Sequence, residues 1–207
     1  MRAEALARAE GLFVSGVVPE DGGALLLLSP DEPHYWDILR AAPEWRDGRP
    51  DPVDRWSVRV IGAMAESLGG EALFPFGGPP WHPFYSWARA GGRAVASPVS
   101  LLADAERGLW ISYRGAVRVR DPEGGIARSR NRDRDPCTPC PAPCLTACPV
   151  NALNEKGYDV AACHAYLDSD AGAECLSGGC LVRRACPVGQ GRRPRELAAY
   201  HMGLFHR

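Results

Sequence analysis

Eight cysteines define the chemistry open to this chain. All of them fall between Cys137 and Cys186, and residues 1–136 contain none. Their order is Cys137-x2-Cys140-x3-Cys144-x3-Cys148-Pro149, then Cys163, then Cys175-x4-Cys180-x5-Cys186-Pro187. A disulfide framework would staple the whole fold, whereas this set crowds one region. The opening MRAEALARAEGLF carries acids from Glu4 onward and lacks the unbroken apolar stretch of a signal peptide, which predicts a cytoplasmic protein. In a reducing compartment, clustered thiols argue for metal or redox chemistry.

The spacing separates iron–sulfur from zinc. Structural zinc sites draw two close CxxC pairs from separate turns and have no rule about proline. Here each group ends in Cys-Pro, and the first is nearly the bacterial C-x2-C-x2-C-x3-C-P ferredoxin run, whose fourth cysteine ligates the other cluster. Eight thiolates is the number two [4Fe–4S] clusters need. Three close cysteines on a turning loop reach three corners of a cube, and the fourth must come from elsewhere in the chain. The expected partition is therefore Cys137, Cys140, Cys144 and Cys186 for one cluster, and Cys148, Cys163, Cys175 and Cys180 for the other. The longer gaps around Cys144 and Cys180 leave open a different pairing in the second group. Zinc, alone or beside a single cluster, stays the alternative. His164 reads as a helix-surface residue, since eight cysteines suffice. Pro139, Pro141 and Pro143 withhold N–H groups that would otherwise bond cluster sulfurs, which predicts a more reducing first cluster than a proline-free loop would hold.

The elements that must position these residues read as two domains, 1–127 and 128–207. The first is an α/β region. A helix over residues 2–10 precedes GLFVSGVVP, and GALLLLS (Gly23–Ser29) is short and wholly apolar, as a buried strand is. PHYWDILRAAPEW is helical around Tyr35–Ala41. The clearest helix runs from Pro52 to Leu68, with Asp51 as N-cap and Val53, Trp56, Val60, Met64 and Leu68 on one face. FPFGGPPWHPFYSW (Phe74–Trp87) is too rich in proline and glycine for regular structure. Two strand-like segments follow, AVASPVSLL and LWISYRGAVRVR, the second with valine and arginine alternating. DPEGG (Asp121–Gly125) is a turn and RSRNRDRD (Arg128–Asp135) a linker. Its acids and its lack of aromatic residues argue against nucleic-acid binding. In the cysteine region, VNALNEKG reads as a short helix, and a C-terminal helix from Pro194 is expected to dock the cluster domain onto the first half. The longest aliphatic run, Ala24–Leu28, is far below the ~20 residues a bilayer requires, so no membrane span is expected.

The succession CP…CHAYL…C…GC…CP resembles the double-cluster module of epoxyqueuosine reductases and cobalamin-dependent reductive dehalogenases. The segment SPVSLLADAERGLWISYRGAVRV is similar to the strand–turn–strand of those enzymes and of the cobalamin-processing chaperone family, which share a nitroreductase-like α/β fold. The resemblance implies an α+β protein: a nitroreductase-like first half, then a loop-rich ferredoxin-type double-cluster domain. It also implies that the first half binds cobalamin or flavin and receives electrons from the clusters. Trp81, His82, Phe84 and Tyr85 are the expected walls of such a pocket. No catalytic residue is carried over. The expected function is electron transfer between redox partner proteins, with a cobalamin- or flavin-dependent reductase as the alternative.

Overall fold

The uncharged stretch GALLLLSP is buried almost completely in a computed structural model that describes residues 2–120 and 135–207. In chain order the strands are β1 (Leu12–Glu20), β2 (Gly23–Pro30), β3 (Glu71–Leu73), β4 (Ala94–Ala96), β5 (Leu102–Asp104), β6 (Gly115–Arg120), β7 (Leu153–Asn154) and β8 (Gly157–Tyr158). The helices are α1 (Arg2–Ala9), α2 (His34–Ala41), α3 (Pro43–Arg46), α4 (Pro52–Ser67), α5 (Phe84–Ala90), α6 (Val160–Leu167), α7 (Ala173–Gly178), α8 (Leu181–Arg184) and α9 (Arg195–His206). The protein is α+β. The described chain forms two compact units, one of residues 2–94 and 112–120, the other of residues 95–111 and 135–207. No helix among the described residues is long and apolar enough to cross a membrane.

In the first unit β1, β2, β6 and β3 lie side by side in that order, every pair antiparallel. Leu25 to Leu28 of β2 are all buried, as expected of a strand covered on both faces. In β6, Val117 and Val119 are buried. Arg118 between them ion-pairs with Glu20 of β1 at 2.9 Å and Glu71 of β3 at 2.7 Å. Alternation along the strand thus gives one dry face and one charged face. Along α4, Val53, Trp56, Val60, Ile61 and Met64 are buried, and Trp56 meets Tyr35 of α2 edge to face at 5.3 Å.

Several local expectations are corrected. Asp51 does not cap α4 through its side chain; its backbone is left-handed, and Pro52 opens the helix without an N–H to satisfy. Phe84–Trp87 is not irregular but starts α5, because the prolines end at Pro83 and the next residues are free to coil. VNALNEKG is not a helix. The Asn154 carboxamide accepts from the Lys156 N–H at 2.8 Å and donates to the Asn151 carbonyl at 2.8 Å, and the β7–β8 hairpin forms instead. Asparagine side chains compete for backbone groups in this way and favour turns. The Asp121–Gly125 turn, most of the Arg128–Asp135 linker and the 127/128 boundary lie outside the described residues.

The second unit is not contiguous in sequence. Residues 95–111, expected in the first domain, belong to it. The reason is packing: Val99, Ala103 and Leu109 form one buried cluster with Cys144, Leu153 and Val182. The C-terminal helix α9, expected to dock on the first half, packs on α7 of its own unit and buries Leu197 and Ala198. At Gly179, which links α7 to α8 with φ +84°, an added Cβ would lie 2.7 Å from Ala198 Cβ, so glycine permits this close approach.

Candidate functional site

The first cysteine loop is wound tightly enough to aim three thiols at one space. The Cys140 N–H donates to the Cys137 carbonyl at 3.0 Å, Ala142 adopts a left-handed backbone, and a 3-10 turn covers Pro143–Leu145. The Asp135 carboxylate accepts from the Cys137 N–H at 2.8 Å and pins the start of the loop. The fourth thiol, Cys186, arrives just past α8, and Pro187 leads the chain away. Cys137, Cys140, Cys144 and Cys186 line one cavity of about 360 Å³, counting its open mouth.

A second cavity of about 370 Å³ holds the other four thiols, Cys148, Cys163, Cys175 and Cys180. Each comes from a different element. Cys148 precedes a turn in which the Ala152 N–H donates to its Sγ at 3.2 Å. Cys163 sits on α6, capped by Asp159, whose carboxylate accepts from the Ala162 N–H at 2.9 Å. Cys175 lies on α7 and Cys180 at the start of α8. The rest of this lining is almost wholly apolar apart from Tyr158 and Tyr166.

The turn from Asp104 to Gly108 shapes the first cavity from outside the cysteine region. The buried Asp104 carboxylate accepts from the Glu106 and Arg107 N–H groups at 2.9 Å each, and the Gly108 N–H returns to the Asp104 carbonyl at 2.8 Å. Gly108, at φ +52°, touches the cysteine loop so closely that an added Cβ would lie 2.6 Å from Cys186 Sγ and 2.3 Å from the Val188 carbonyl oxygen. An Arg183 guanidinium N–H donates to the Leu109 carbonyl, and Arg193 donates to the Trp110 carbonyl at 3.0 Å. Nothing in the cysteine spacing announces this support, although ADAERGL carries the turn residues that could have suggested it.

All eight cysteines are free thiols. Burial pushes the Cys137 thiol up to about 11, with the Asp135 carboxylate and the neighbouring thiols adding to the effect. Burial raises Cys144, Cys163 and Cys175 as well. Four thiols gathered in an apolar cavity resist ionising unless a cation takes the thiolates, and this donor set fits an iron–sulfur cluster. Among the described residues, no group of three or more histidine, cysteine, aspartate or glutamate side chains is arranged to hold a metal ion. The thiols instead surround cavities wider than one ion fills.

His164 lies on α6 and is half-buried, its ring edge-on to Phe205 of α9 at 4.7 Å. The expected first-half pocket is divided between core and surface. Phe84 is buried beside Tyr113, His82 is exposed and stacks on Trp87 at 5.5 Å, and Trp81 and Tyr85 are exposed. No protein-family model matches the chain, and no curated protein matches it.

Proposed function

We propose that the unit of residues 95–111 and 135–207 is a ferredoxin-type electron-transfer module with two [4Fe–4S] clusters. Cys137, Cys140, Cys144 and Cys186 would hold one, and Cys148, Cys163, Cys175 and Cys180 the other. What carries this reading is the sorting of eight free thiols into two cavities, four apiece, with each set drawn from both ends of the cysteine region. Each cluster, when bound, supplies one-electron redox chemistry. The chain's part is to bind, insulate and tune. Thiols give up their protons to become ligands, the apolar lining keeps water from the sulfurs, and N–H groups such as that of Ala152 bond the ligating sulfur. The resemblance to the cluster module of epoxyqueuosine reductases and reductive dehalogenases supports the same reading. It also motivates a nitroreductase-like assignment for the first unit. Donor and acceptor would be small redox proteins of the cytoplasm.

The test is metal and sulfide analysis of anaerobically purified protein. About eight irons and eight sulfides per chain are expected, with broad absorption near ~400 nm that dithionite bleaches. Colourless protein carrying zinc and no sulfide overturns the reading.

A further inference from the structure

The two cavities differ in what they offer a sulfur. Around the first, Pro98, Pro136, Pro143 and Pro187 line the wall and have no N–H to donate. The Ala142 N–H reaches Cys140 Sγ at 3.4 Å, and the Asp135 carboxylate, bonded to the Cys137 N–H, places an anion beside that thiol. Around the second, one proline lines the wall, the Ala152 N–H reaches Cys148 Sγ at 3.2 Å, and a hydroxyl is added: Tyr158 O–H hydrogen-bonds the Cys163 sulfur. The Tyr158 ring is fixed by stacking on Phe205 of α9 at 5.7 Å, and the Arg183 guanidinium adds positive charge nearby. Tyr166, the other phenol on this cavity, is committed elsewhere, donating to the Ala171 carbonyl at 2.7 Å.

Hydrogen bonds and positive charge at ligand sulfurs stabilise the reduced, more negative state, while a nearby carboxylate opposes it. On the reading that both sites hold [4Fe–4S] clusters, we propose that Tyr158 tunes the Cys148/Cys163/Cys175/Cys180 site to the higher reduction potential, so that electrons enter at the Cys137 site and leave at the Tyr158 site. The donor is a reduced one-electron carrier of low potential, which loses one electron at the first site. The acceptor is a higher-potential one-electron carrier, which gains one electron at the second. No proton or bond changes hands. Tyr158 is 40% exposed, so the exit lies beside a surface an acceptor can approach.

Redox titration of the anaerobic full-length chain, followed by electron paramagnetic resonance, tests the ordering. Two reduction steps are expected. Tyr158→Phe should lower the higher step and leave the lower one in place. Asp135→Asn, which keeps an oxygen to accept from the Cys137 N–H but removes the charge, should raise only the lower step. Tyr166→Phe should move neither. If Tyr158→Phe shifts the lower step, or neither step, in protein with full iron and sulfide, the ordering is overturned while the two-cluster reading stands. A wild-type chain that takes up no iron or sulfide overturns both.

Discussion

Cys186 lies far along the chain from Cys144, yet both line the first cavity, and only Cys186 brings a thiol there from beyond α8. Its removal takes one corner from one site and none from the other. Cys186→Ala should therefore drop iron from about eight to about four per chain, with one of the two paramagnetic signals lost. Iron analysis with spectroscopy checks this, and full retention of both signals would mean that Cys186 ligates neither cluster. The cysteine types and their Cys-Pro endings were legible from the sequence, as was the partition that the two cavities follow. Tyr158 was not, because its role depends on the β7–β8 hairpin and on Phe205 arriving from α9, contacts that no local pattern encodes.

At the scale of elements, the turn between β5 and Gly108 acts as a brace for the loop that carries Cys186. Gly108 meets this loop at φ +52°, where any side chain is strained, and its Cβ would fall within 2.6 Å of Cys186 Sγ. Gly108→Ala should cost about 1–3 kcal/mol of stability and weaken iron retention at the first site before the second. Chelator challenge, followed by the loss of each paramagnetic signal, distinguishes the two. Simultaneous loss from both sites would show that the turn supports the whole unit rather than one loop. The strands of the first unit were readable because β2 is uniformly apolar and β6 alternates. The VNALNEKG segment was misread as a helix because a proline before it suits a helix start, whereas Asn151 and Asn154 satisfy the backbone as turns.

For the molecule as a whole, the second unit is built from two stretches of chain that the first unit interrupts. Leu153 and Val182 are buried against Val99, Ala103 and Leu109, which lie outside the cysteine region altogether. Burying a large aliphatic side chain contributes about 1.5–3 kcal/mol, and a domain's net stability is only about 5–15 kcal/mol. A fragment of residues 135–207 should therefore fail to form a stable unit and should not retain iron at the Cys137 site. Joining residues 95–111 to it through a flexible linker should restore retention. Iron content and thermal melting of both fragments measure this, and a fragment that loads both sites unaided would show that the 95–111 stretch is dispensable.

The sequence by itself determined the ligand chemistry. Eight thiols, their crowding and the prolines that follow Cys148 and Cys186 are properties of residue type and spacing. It also determined the apolar strands and the amphipathic α4, since periodicity of burial is written in the order of residues. Only the tertiary structure decided what surrounds the sulfurs. Gly108 against Cys186, Leu109 in the core of the cysteine unit and α9 folded onto α7 are meetings of residues distant along the chain. Such meetings are selected by the fit of apolar surfaces, which spacing along the chain does not carry.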